Sequence, residues 1–320
     1  MDPLSSPFAL RDAQPLPAQK FVDPLTTAKG EERAFVRMAG LSTLWFNTGT
    51  LCNLACKSCY IESSPTNDAL VYISLDEVRA YLDEIASERL PTREIAFTGG
   101  EPFMNPAMMP IIALCLDRGY KVLVLSNTMR PMRRFEKQLL ALAGRDRLTI
   151  RASLDHHSKA NHEAERGPNS WGKAISGLVW LAENGFKIAV AGRHLGEEPD
   201  GAAREGYRQL FAAHGLPIDA DDPGQLVLFP EMDATSDIAE ISTGCWDILH
   251  VNPASMMCAT SRMVVKRKGE AAPRVAACTL LPYQADFDMG ATLAEASRDV
   301  RLNHPHCARF CVLGGASCSA

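Results

Sequence analysis

The segment TLWFNTGTLCNLACKSCY, running from Thr43 to Tyr60, decides how the rest of the chain is read. Its first five residues are mostly apolar or β-favouring and predict a buried strand over Thr43–Asn47. A loop follows in which Cys52, Cys56 and Cys59 fall within eight residues. Three thiolates this close can take three corners of an iron–sulfur cube, leaving one iron open to a small molecule. The competing readings are a zinc knuckle and reduced surface thiols. Zinc ordinarily asks for four ligands from two close pairs, and no fourth ligand neighbours the three in the first half of the chain.

Working outward, short apolar runs alternate with amphipathic stretches. Further strands are predicted over Glu94–Thr98, Lys121–Ser126, Leu148–Leu154, Phe186–Ala191 and Leu226–Phe229. Between them, helices are predicted over Leu75–Arg89, Pro106–Arg118, Met132–Ala143, Ser170–Asn184 and Ala202–His214. Ser74 followed by Glu77 reads as a capping box, and Gly119, Gly144, Gly185 and Gly215 sit where helices should stop. This alternation implies an α/β fold with a parallel, helix-covered sheet. Spacing alone leaves open an arc, part of a (β/α) barrel and a doubly wound sheet. In each of them, ligands gather at the C-terminal strand ends.

The chain has 320 residues, 46% of them hydrophobic and 22% charged, with a formal net charge of −5. That balance argues for a globular enzyme-sized protein and against nucleic-acid or anionic-membrane partners, which favour a basic face. Lys266-Arg267-Lys268 reads as a solvated hairpin turn. No run of about 18 apolar residues predicts a membrane helix, and Met1-Asp2-Pro3-Leu4 does not open like a secretory signal. The expected location is cytoplasmic. In a reducing compartment the ten cysteines point to metal or thiol chemistry rather than disulfides.

At its cysteine triad the chain resembles the radical S-adenosylmethionine (radical SAM) superfamily, whose hallmark is three cysteines at x3 and x2 spacing. Tyr60 stands where that family has an aromatic residue beside the adenine. Thr98-Gly99-Gly100-Glu101-Pro102 follows the second strand, like the family's GGEP segment. Two glycines let the backbone approach the cofactor's amino-acid end, and a carboxylate would meet its ammonium group. Ser126-Asn127-Thr128 and Arg151-Ala152-Ser153-Leu154-Asp155 end the third and fourth strands, where family members place polar side chains against the cofactor. Arg166-Gly167, then Trp171–Gly185, is similar to a pattern in the peptide- and small-molecule-modifying branches. The resemblance covers residues 43 to about 192. It implies a partial (β/α)6 TIM-like barrel and a [4Fe–4S] cluster on Cys52, Cys56 and Cys59. S-adenosylmethionine would lie along Tyr60, Gly99, Gly100, Glu101, Pro102, Asn127 and Ser153. It also implies an oxidoreductase that makes a 5′-deoxyadenosyl radical, is fed electrons by reduced flavodoxin or ferredoxin, and acts on a small-molecule or peptide substrate. The alternative is a zinc-stabilised or inert-cluster binding module without catalysis.

Three regions are expected: an N-terminal extension over 1–35, a core domain over 36–240 and a small cysteine-rich α+β module over 241–320. The last holds Cys245, Cys258, Cys278, Cys307, Cys311 and Cys318, with short β-prone pieces at Ile248–Asn252 and Arg262–Lys266. It loosely resembles the SPASM and twitch extensions that carry auxiliary [4Fe–4S] clusters, but lacks their Gly-x4-Cys and Cys-x2-Cys spacings. All six cysteines therefore stand as candidate ligands, beside a structural zinc site and buried free thiols. Cys115, within the apolar stretch Ile111–Leu116, reads as core.

Overall fold

The computed structural model describes residues 6–10, 13–196 and 198–315. In chain order the strands are β1 (Phe35–Val36), β2 (Thr43–Asn47), β3 (Glu94–Thr98), β4 (Lys121–Ser126), β5 (Leu148–Ser153), β6 (Lys187–Arg193), β7 (Leu226–Phe229), β8 (Ser261–Val265), β9 (Arg274–Ala276) and β10 (Val300–Arg301). The α-helices are α1 (Leu75–Ser87), α2 (Met108–Asp117), α3 (Arg130–Arg133), α4 (Glu136–Ala141), α5 (Lys159–Arg166), α6 (Ser170–Glu183), α7 (Asp200–Ala213) and α8 (Cys245–Leu249).

One sheet organises these elements, in the order β7-β6-β5-β4-β3-β2-β8-β9. Strands β2 to β7 pair in parallel, each with its sequence neighbour. Their near-continuous apolar runs suit burial on both faces; every residue of β2 is buried. Among the described residues β7 and β9 end the sheet without meeting, so the α/β arc is a partial barrel. β8 adds in parallel to β2, pairing Thr43 with Ser261, and β9 folds back antiparallel. The cysteine-rich part of the chain is thus built onto the same sheet as the triad. The buried Arg262 secures it by donating to the carbonyls of Cys258, Ser261, Ala296 and Arg298.

Helix α1 shows how the cover forms. Ser74 and Glu77 cap each other reciprocally at its start, and Val78, Tyr81, Leu82 and Ile85 face the sheet. Burial of Val78, Leu82 and Ile85 is worth about 1.5–3 kcal/mol each, outweighing the cap's ~0.5–2 kcal/mol. The helix predicted over Met132–Ala143 is two, α3 and α4. It breaks at Arg134-Phe135, where the Phe135 ring turns in to lie 6.2 Å from Phe103. The strand predicted over Ile248–Asn252 does not form. Residues 245–249 make α8, His250 closes it in the left-handed conformation, and Ile248 is left 76% exposed with no strand to pair. Helix α5, absent from the sequence reading, is short and polar. The basic triplet lies between β8 and β9, but is ion-paired rather than merely solvated: Lys266 with Glu77, Arg267 with Asp288 and Lys268 with Asp68.

The N-terminal residues are laced to the segment after β7. Leu16 N–H donates to Thr235 and Asp237 N–H donates to Gln14, both at 2.7 Å. Arg33 is fully buried, ion-pairs with Glu240 at 2.6 Å and donates to the carbonyls of Asp23 and Thr26. β1 then zips antiparallel to β10.

Candidate active site

A cavity of about 160 Å³ opens at the C-terminal ends of the parallel strands, where the loops after β2 to β6 converge. Cys52, Cys56 and Cys59 line it together, with Tyr60, Gly99, Gly100, Asn127 and Ser153. Burial pushes the Cys52 thiol up to about 11 and the Cys56 thiol up to about 12, while nearby Arg166 pulls both down. The Leu54 amide points at Cys52 Sγ (3.4 Å) and the Ser63 amide at Cys59 Sγ (3.3 Å). Such donors stabilise sulfur that carries negative charge. The loop is clamped to α5: Glu165 accepts from the Ser58 amide and hydroxyl, each at 2.8 Å, and its carbonyl accepts from Lys57 N–H.

The glycines are there for space. A Cβ on Gly99 would lie 2.6 Å from the Gly49 carbonyl, and one on Gly100 would collide with the Leu51 carbonyl. The strand end therefore presents bare backbone to the cavity. Glu101 and Pro102 do not line it. The Glu101 carboxylate turns inward and accepts from Phe103 N–H, the Ser126 hydroxyl and Asn127 N–H, at 3.2, 2.9 and 2.8 Å. Burial still pushes it up to about 7 against those donors. Pro102 is buried at the start of a 3-10 turn. This carboxylate braces the ends of β3 and β4 together. Asn127 is held at 2.9 Å by Asn53, next to the first cysteine.

Sequence reasoning gave too little weight to three charged side chains on the wall. Arg166 grips Asp155 bidentately, at 2.6 and 3.0 Å, and both line the cavity. Burial alone would raise the Asp155 carboxyl, but the guanidinium outweighs it and holds the group below its usual range. Arg193, the last residue of β6, donates to the Ser58 hydroxyl (2.7 Å) and ion-pairs with Glu165 (3.3 Å) and Glu231. The signal for these residues was their position at strand and helix ends facing the triad. Beyond Arg193 the wall becomes apolar, with Phe229, Met232, Leu280 and Phe310.

A second cavity is lined by Cys258, Cys278, Cys307 and Cys311, with His306 beside them. Cys307 and Cys311 come from a π-helical turn over Cys307–Val312. Burial pushes the Cys258 thiol to about 11 and the Cys307 thiol well above its usual value. Leu280 lines both cavities and so divides them. Cys245 sits on α8 beside the Ser242 hydroxyl (3.5 Å) and does not line this cavity. Cys318 lies outside the described residues. Cys115 is fully buried in α2.

Among the described residues, His156, His157 and Glu198 place three candidate ligand atoms within 4.8 Å of one another. The histidine set is a hydrogen-bonded pair with a neighbour. Ser158 N–H donates to His156 Nδ1 (3.0 Å), so the ring hydrogen sits on Nε2 and faces Glu198 at 3.3 Å.

No helix among the described residues is long and apolar enough to cross a membrane. The sequence model of the radical SAM superfamily matches residues 46–200. The antilisterial bacteriocin subtilosin biosynthesis protein AlbA of Bacillus subtilis is 30% identical over 141 residues, 44% of this chain and 30% of AlbA. The AdoMet-dependent heme synthase of Nitratidesulfovibrio vulgaris is 30% identical over 144 residues, 43% of this chain and 36% of the synthase. The chain thus spans about a third of the length of these curated relatives. Among solved structures, Streptococcus suis SuiB bound to S-adenosylmethionine superposes with a TM-score of 0.57 at 10% identity, over 79% of this chain and 64% of SuiB. The structure of anSMEcpe with bound AdoMet gives 0.57 at 14% identity, over 80% of this chain and 77% of that one. At such identities the likeness concerns the fold, which is the same partial barrel. Residues 46–200, just under half of this chain, thus match the radical SAM superfamily in sequence.

Proposed function

We propose that this protein is a radical SAM enzyme acting on a peptide or small molecule within the cavity bounded by the triad and Arg193. One observation carries the reading. Three thiols open on one cavity, with no fourth cysteine or histidine among the residues lining it. When bound, the [4Fe–4S] cluster and S-adenosylmethionine supply reductive cleavage to methionine and a 5′-deoxyadenosyl radical, which takes hydrogen from the substrate. The protein's part is to hold and to exclude. The Leu54 and Ser63 amides offset charge on the sulfurs, and Gly99 and Gly100 let the ligand rest on backbone. Tyr60, Asn127 and Ser153 offer an aromatic face and polar groups, and the Asp155–Arg166 pair fixes one positive and one negative charge beside them.

The second cavity would hold an auxiliary [4Fe–4S] cluster on Cys258, Cys278, Cys307 and Cys311, leaving Cys245 out. Leu280, which lines both cavities, would then lie between that cluster and the substrate end. In this reading residues 36–240 are the radical domain, 241–320 the auxiliary module and 1–35 an extension. Reduced flavodoxin or ferredoxin would supply the electron. A peptide substrate is favoured by the company the chain keeps. AlbA is named for bacteriocin biosynthesis, MftC of Mycobacterium ulcerans is named a mycofactocin maturase, and SuiB is known with its precursor peptide bound.

The test is anaerobic reconstitution, then dithionite and S-adenosylmethionine, with release of 5′-deoxyadenosine as the readout. Cys56→Ala should lose that release and the triad's cluster signal together. Iron-loaded wild type that binds S-adenosylmethionine but releases no 5′-deoxyadenosine with any candidate peptide or small molecule would overturn the reading.

A further inference from the structure

Close to the chain's start, Ser6 and Phe8 are buried, although residues 13–26 after them are half-buried or exposed. Phe8 is fully buried yet stands apart from the main hydrophobic core. Its ring lies under the Arg193 guanidinium at 4.3 Å, and the His156 ring lies 6.4 Å away. The Ser6 hydroxyl donates to Glu165 Oε2 at 2.6 Å. The other oxygen of that carboxylate holds Ser58, between the second and third triad cysteines. Two side chains from residues 6–10 therefore engage two charged groups on the cavity wall. An aromatic ring spent on a guanidinium, away from the core, orients that guanidinium and keeps water off it.

We propose that residues 6–10 are a built-in strap behind the substrate end of the cavity, packed on Glu165 and Arg193 without lining the cavity themselves. Phe8 is a positioning residue that fixes Arg193, and the strap seals the cysteine loop from solvent. The lacing of Gln14 and Leu16 to Thr235 and Asp237 anchors the strap's base, and only the tip reaches the wall. The proposal rests on the cavity being a radical enzyme's substrate site for what the seal protects, but not for the seal itself.

The experiment compares wild type with Phe8→Ala, Phe8→Leu and Ser6→Ala, all iron-loaded under anaerobic conditions. Hydrogen exchange followed by mass spectrometry reads the amides of Lys57 and Ser58, both bonded to Glu165. Loss of visible cluster absorbance after exposure to air reads the seal. Phe8→Ala should raise both rates about tenfold, which requires a shift in strap docking of only ~1.4 kcal/mol. Phe8→Leu keeps apolar bulk without the ring's attraction for the cation. It should hold the air-bleaching rate within about twofold of wild type while raising KM for substrate more than it lowers kcat. Ser6→Ala should raise exchange at Ser58 and leave the fold intact. Wild-type exchange and bleaching in both Phe8→Ala and Ser6→Ala would overturn the strap. Exchange alone decides the case even if wild type releases no 5′-deoxyadenosine, so the two proposals fail separately.

Discussion

Asp155→Asn tests the charged pair beside the triad. Arg166 is half-buried beside the buried Asp155, and its guanidinium spends two donors on the two Asp155 oxygens, at 2.6 and 3.0 Å. Asparagine keeps the shape but removes the countercharge and sets an NH₂ donor against one guanidinium donor. Breaking one partner of a buried pair costs about 3–5 kcal/mol, because the remaining charge is left uncompensated. At roughly 2–4 °C per kcal/mol for a domain approaching this size, Tm should fall by ~6–20 °C. Anaerobic calorimetry on samples matched for iron content measures it. The double variant Asp155→Asn with Arg166→Met should recover most of the loss, since an apolar pair of similar volume is tolerated where a lone charge is not. A fall in Tm below about 2 °C for the single variant, or a further fall in the double, would refute the reasoning.

Three further outcomes are expected. Iron analysis should give about eight atoms per chain, about four in Cys258→Ala, and an unchanged value in Cys245→Ala. Gly100→Ala should cost about 1–3 kcal/mol by overpacking against the Leu51 carbonyl, read by chemical denaturation, and should weaken S-adenosylmethionine binding in calorimetry. The metal-free protein should lose stability in alkali. Cys52 and Cys258 are pushed up to about 11 and Cys56 to about 12, so their stabilising effect is full below the unfolded thiol range and is lost as pH rises through the folded values. Each of the three thiols gives up about 1.4 kcal/mol per pH unit in that window. Denaturation midpoints in reductant that do not differ between pH 8 and pH 10 would count against it.

The central sheet was legible because β2 to β7 are apolar runs separated by helices, and a strand buried on both faces has to look that way. The triad was legible because its ligands share one loop. What stayed hidden depends on pairing between residues far apart in sequence. Nothing local to Ser261 says that it will lie beside Thr43. The cysteines lining the second cavity were not separable from Cys245, since only the fold leaves Cys245 out of that lining. Gly-Gly-Glu-Pro marked the right strand end, but the direction of the Glu101 side chain was set by donors from Ser126 and Asn127 on the next strand. Arg193 lacked a motif, and Asp155, which closed one, showed its partner Arg166 only in the fold.

The zipper between Phe35–Val36 and Val300–Arg301 orders events during synthesis. Neighbouring strands of the arc can assemble as they leave the ribosome, because each pairs with the next in sequence. β1 cannot pair until residue 301 has emerged, so this two-stranded sheet closes only after every strand of the arc has been made.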